Sequence, residues 1–164
     1  MSLIGIILIV IILALVLVFA AGYGRPEFPP METKPDDPLL LEAREKARGS
    51  FSEFRRLLAQ YPKAGIIKLK FTSNSDQVEY LWAEVLEAEG EAAYKVRLMT
   101  PPVTHTGQLD RLYTCKEDDI EDWQVTDDKG QHHGAFSQRA MFKIARRDGV
   151  ALPKKLQDIE KLYP

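Results

Sequence analysis

Ile67-Lys68-Leu69-Lys70-Phe71-Thr72, then Ser73-Asn74-Ser75-Asp76, then the run from Val78 to Leu86, is the stretch that decides the fold. Ile67, Leu69 and Phe71 alternate with Lys68, Lys70 and Thr72, which is the period of a half-buried strand. Four small polar residues then predict a turn. Val78 to Leu86 is apolar on both faces, with Tyr80 and Trp82 on one and Leu81, Ala83 and Val85 on the other, so it belongs near the middle of a sheet. Glu87 to Glu91 contains Gly90 and closes a second hairpin. Tyr94, Val96 and Leu98 form the returning strand, and Pro101-Pro102 stops it. Arg111 to Lys116 and Ile120 to Thr126 read as two more short strands. Connections this short join antiparallel neighbours and leave no room for crossover helices. The expectation is a bent antiparallel sheet of about five strands, with Gln131 to Ala135 after the Asp127-Asp128-Lys129-Gly130 turn as a candidate addition.

Helices flank the sheet. Asp37-Pro38 has the form of an N-cap and first helical residue. Leu40, Ala43, Ala47, Phe51, Phe54, Leu58 and Tyr61 then recur at helical spacing, and Gly49-Ser50 interrupts them. This predicts a kinked amphipathic helix, or two helices, with Ser50 and Glu53 as a capping box. After the strands, Ser137 caps a helix that runs to about Asp148, with Gly149 beyond its end and Ala140, Met141, Ile144 and Ala145 as its core face. A short last helix follows Pro153, with Leu156, Ile159 and Leu162 inward. A helix, a run of strands and two C-terminal helices make an α+β fold.

Outward from that body the character changes. Leu3 to Ala21 is nineteen residues without a charge, fifteen of them Leu, Ile, Val or Phe. As a helix it spans about 28 Å, the thickness of a bilayer core. Only Met1 and Ser2 precede it, so the basic n-region of a cleaved signal peptide is missing, although Ala20-Ala21-Gly22 has the form of a weak cleavage site. The expected division is a transmembrane anchor over residues 1–22, a Pro-rich linker over 23–38 with Pro26, Pro29, Pro30, Pro35 and Pro38, and a soluble α+β domain over 39–164. Arg25, Lys34, Arg44, Lys46 and Arg48 all follow the apolar run. They predict an N-terminus outside the cell inner membrane and a cytoplasmic domain; an exported domain is the alternative. The lipid bilayer is thus one expected partner. A net charge of −2 argues against a nucleic-acid partner, and the lone Cys115 rules out an internal disulfide.

From about Glu79 to Arg139 the chain resembles the YegJ-like bacterial proteins of domain-of-unknown-function family 2314. The likeness rests on Glu79-Tyr80-Leu81-Trp82-Ala83, Pro101 and Gly107, Asp119-Ile120-Glu121-Asp122-Trp123, and Gly134-Ala135-Phe136-Ser137-Gln138-Arg139. One departure is Asp110-Arg111-Leu112, where the family pattern would place a Gly-Asp pair. The resemblance implies a fold but no activity.

The chemistry-bearing residues are few. Trp82, Asp122, Trp123 and Arg139 are candidates to line a groove for a ligand or peptide, with His105 in the Pro-rich loop. The competing structural reading puts both tryptophans in the core and makes an Asp122–Arg139 or Glu79–Arg139 bond the brace of the second helix. His132 and His133 are adjacent in a strand and project oppositely, and no spacing suits zinc. The acidic run Glu117 to Asp128 lacks the oxygen spacing of a calcium loop, and no Gly-rich phosphate cradle occurs. Neither a metal nor a cofactor is expected. Arg139, Lys143, Arg146, Arg147, Lys154 and Lys155 form a basic counterpart that could face the acidic run or anionic lipid. The expected function is a non-catalytic protein- or ligand-binding module on a single-pass anchor. The alternatives are a hydrolase using His105 and Asp122, and a toxin-neutralising or envelope-maintenance protein.

Overall fold

A computed structural model describes residue 34 and residues 36–72, 78–90, 92–99 and 111–164. Leu3 to Ala21, most of the Pro-rich linker, the Ser73–Asp76 turn and the loop that carries His105 lie outside the described residues. Residues 35–164 form one compact unit. Its elements run α1 (Pro38–Gly49), α2 (Phe51–Gln60), β1 (Gly65–Thr72), β2 (Val78–Glu89), β3 (Ala93–Leu98), β4 (Leu112–Lys116), a 3-10 turn (Glu117–Asp119), β5 (Ile120–Thr126), β6 (His132–Gly134), α3 (Phe136–Arg147) and α4 (Lys154–Glu160). The α+β class is as expected.

The sheet has six strands in the order β4-β3-β2-β1-β5-β6. Every neighbouring pair is antiparallel. The expected number was about five; β6 is the sixth, and three residues are too few to show an alternation of their own. It exists because Asp127 closes the preceding turn, accepting from the N–H groups of Lys129 and Gln131 at 2.9 Å each. Two β-bulges leave Leu86 and Glu121 without cross-strand partners, and such bulges bend a strand.

The register sorts side chains onto two faces. Leu98, Ala83, Ile67 and Trp123 lie in one row across β3, β2, β1 and β5, and all four are buried. Phe54, Leu57 and Leu58 of α2 and Ala47 of α1 close over this side. The opposite face carries the row Trp82, Lys68, Asp122. The bulge at Glu121 lets Ile120 share the core face with Trp123 although they are three residues apart.

Three local expectations are corrected. The predicted amphipathic helix is two helices parted at Ser50, but the capping box does not form. Ser50 Oγ instead points back to the Lys46 and Ala47 carbonyls, at 2.7 and 3.0 Å, and accepts from Trp123 Nε1 at 3.1 Å. Glu53 pairs with Arg56. The indole, a long-range partner, outcompetes the local cap. On α3 the buried set is Ala140, Phe142, Ile144 and Ala145, with Phe142 in place of the half-exposed Met141. At the C-terminus Leu162 is exposed, and Tyr163 turns inward against Phe142 and His132.

Gly134 and Ala135 carry the chain from β6 into α3 with φ of 81° and 48°. A Cβ on Gly134 would meet the Trp123 carbonyl oxygen and lie 2.6 Å from its ring atom Cε3. Only glycine fits both the backbone and the space. Gly134→Ala is therefore expected to cost about 3 kcal/mol in urea denaturation, whereas Gly49→Ala, where a Cβ meets nothing within 4 Å, should change the midpoint little.

Candidate functional site

The first turn of a helix exposes backbone N–H groups that need acceptors. At α3 the capping position is Ala135, which has no side-chain acceptor, and Asp122 on β5 supplies one from across the chain. Asp122 Oδ1 accepts from Phe136 N at 3.1 Å and from its neighbour Trp123 N at 2.9 Å, while Oδ2 accepts from Ser137 N at 2.7 Å. The residue is 0% exposed. Burial pushes its carboxyl above the ordinary range, and the bonds from Ser137 and Trp123 and the charge of Lys68 pull the other way. The carboxylate also sits at the positive end of the helix dipole, where a negative charge is favoured.

Lys68, beside it on β1, donates to Ser137 Oγ at 3.1 Å and stands 5.6 Å from the centre of the Trp82 ring. Burial holds its ammonium below the usual lysine range, opposed by the charges of Asp122 and Glu121. The arrangement is a network: aromatic ring, ammonium, hydroxyl and carboxylate, with a helix start hung on its end. Farther along, Arg44 of α1 forms an ion pair with Glu121 at 2.5 Å and reaches the Tyr80 hydroxyl at 3.5 Å.

The five sequence-read candidates separate. Trp123 is 1% exposed, between Phe54 and Phe136, and its indole N–H points to Ala47 O and Ser50 Oγ. It belongs to the core. Asp122 is consumed by backbone donors. Trp82 is half-buried on the opposite face, beside Tyr80, which is 40% exposed. Arg139 points to the Pro164 carbonyl at 3.4 Å and makes no bond to Asp122 among the described residues. His105 lies outside them. The brace of the second helix thus exists, but Asp122 applies it to the α3 backbone rather than to Arg139. Sequence reasoning missed Lys68, and it made Ser137 the helix cap, whereas Ser137 lies in the first turn of α3 and is itself capped by Asp122. Lys68 read as an outward lysine of an alternating strand, and only the cross-strand register shows it flanked by Trp82 and Asp122.

The histidines meet different partners. His133 Nε2 lies 3.0 Å from Asp127 Oδ2, and His132 Nδ1 lies 3.0 Å from Thr126 Oγ1 with Tyr163 against its ring. Among the described residues no group of His, Cys, Asp and Glu could hold a metal ion. Burial pushes the Cys115 thiol up to about 12, so it is a packed residue rather than a nucleophile.

The chain belongs to the DUF2314 family, described as an uncharacterized protein conserved in bacteria, whose profile matches residues 37–148. The match extends the resemblance read at 79–139 to both N-terminal helices and to all of α3. No curated protein and no solved structure matches the chain.

Asp122→Ala strips three backbone N–H groups of their acceptor and Lys68 of its counter-charge. It should cost about 3 kcal/mol by urea denaturation, with Asp122→Asn intermediate. Because Lys68 and Asp122 are coupled, Lys68→Met combined with Asp122→Asn should cost less than the sum of the two.

His132 offers a pH-dependent expectation. Burial lowers its folded pKa below the ordinary 6.5, against the charge of Asp127 and with that of His133. The unfolded chain therefore takes up the proton first. The contribution to stability is complete above about pH 6.5 and shrinks as pH falls below it. Protection of the His132 amide, whose N–H donates to Leu162 O at 2.8 Å, should fall between pH 7.5 and 5.5, and His132→Phe should remove that fall.

Proposed function

We propose that this protein is a single-pass, membrane-anchored recognition module without catalytic activity, which binds a protein or small ligand on the outer face of β1 and β2. The observation that carries the reading is Trp82: the tryptophan not spent on the core stands half-open on the sheet face opposite α2, beside Tyr80 and across from the ammonium of Lys68, with exposed Lys70 across from Tyr80. Tryptophan and tyrosine supply large contact area at low entropic cost, and flanking cations favour an acidic or aromatic partner. The hydrolase alternative loses support at Asp122, which is closed to solvent and already accepts three backbone N–H groups; a general base must reach its substrate.

The anchor is argued from Leu3 to Ala21 alone. No helix among the described residues is long and apolar enough to cross a membrane. The basic residues after the run favour a cytoplasmic domain at the inner membrane.

Two measurements test this reading on the full chain. Alkaline washing should leave the protein with the membrane, and deleting residues 3–21 should release it; release of the intact chain would end the anchor. A photo-crosslinking residue at position 80 should yield a discrete adduct in cells that Trp82→Ala abolishes, while the same probe at Ala88 gives none. No adduct, or one unaffected by Trp82→Ala, would overturn the assigned face.

A further inference from the structure

A second surface lies between α1 and α3. Leu39, Ala43, Phe136 and Ala140 form an apolar floor, and Glu42, Lys46, Arg139 and Lys143 stand around it, enclosing about 100 Å³. The rim is unbalanced, with three cations against one carboxylate. That carboxylate is already engaged, because Glu42 pairs with Lys46 at 2.5 Å. Lys143 is exposed and makes no hydrogen bond or ion pair among the described residues, and Arg139 has only the distant Pro164 carbonyl. The neighbouring arginines of α3 differ: Arg146 is paired with Glu160, and Arg147 with Asp37 and Asp148. Among the described residues, the two α3 cations without a close ion pair, Arg139 and Lys143, thus stand at the cleft, with Lys143 and Lys46 sharing the one carboxylate of Glu42.

We propose that this cleft seats the phosphate-bearing headgroup of an anionic lipid. Arg139 presents a planar fork and Lys143 a point charge to the phosphate oxygens, a pairing suited to phosphate. The volume admits a phosphodiester, and the apolar floor suits the glycerol and first methylenes of a lipid rather than bare phosphate. The inference rests on the anchor reading for its source of ligand.

The test is lysine labelling of the full chain in vesicles of phosphatidylcholine, alone or with an equal part of phosphatidylglycerol, read by mass spectrometry. Acetylation of Lys143 and Lys46 should slow about fivefold in the mixed vesicles relative to Lys129, an exposed turn residue, and Arg139→Gln should abolish the slowing. Equal rates in both vesicles, or equal slowing at Lys129, overturn the headgroup site. The same slowing on adding inorganic phosphate to phosphatidylcholine vesicles overturns the lipid assignment in favour of a free anion. Alkaline washing of the same vesicles reports the anchor separately. A chain that stays but shows no slowing loses only this proposal, and a chain that washes off but slows keeps the headgroup site and loses the anchor.

Discussion

The carboxylate of Asp122 is where the sheet and the C-terminal helix layer are joined. It gathers three backbone N–H groups, two of them from the first turn of α3, inside a region closed to water. A buried charge is tolerable only when it is paired and hydrogen-bonded. Lys68 and the helix dipole supply the charge, and the bonds satisfy the oxygens. Once Asp122 is placed, much follows. Phe136 is set edge-on against Trp123, Trp123 reaches Ser50, and Ser50 marks the break between α1 and α2. One acidic side chain thus lies at the head of a chain of contacts that crosses both layers.

This explains the pattern Ile-x-Asp-Trp followed a dozen residues later by Gly-x-aromatic-Ser. The tryptophan and the glycine meet because the Trp123 ring and carbonyl fill the space beside Gly134. The aspartate and the serine meet because one receives the other's N–H. Residues that read in the sequence as candidates for binding are, in this half of the domain, the fastenings of the fold.

Strong local signals made most of the architecture legible. The alternation in Ile67–Thr72, the turns at Gly90 and Asp127–Gly130, and the helical spacing from Leu40 to Tyr61 each depend on near neighbours. The failures share the opposite property. Ser50 is satisfied by an indole 73 residues away, so its local capping pattern was misleading. Lys68 gains its meaning from two other strands. Phe142 rather than Met141 faces the core because Tyr163, far along the chain, packs there. Asp122 was recognised as special, and the opposite orientation of its neighbour Trp123 followed from strand geometry, but its partner was expected to be a side chain. Backbone donors leave no residue-type signature to find.

The outermost strand on one side, β4, has no second neighbour among the described residues, and Leu112 at its start is 48% exposed. Such a margin invites a second chain to pair with it. Here the strand is five residues long and runs at once into Lys116, Glu117, Asp118 and Asp119. A short strand that ends at once in charge is a poor template for such pairing.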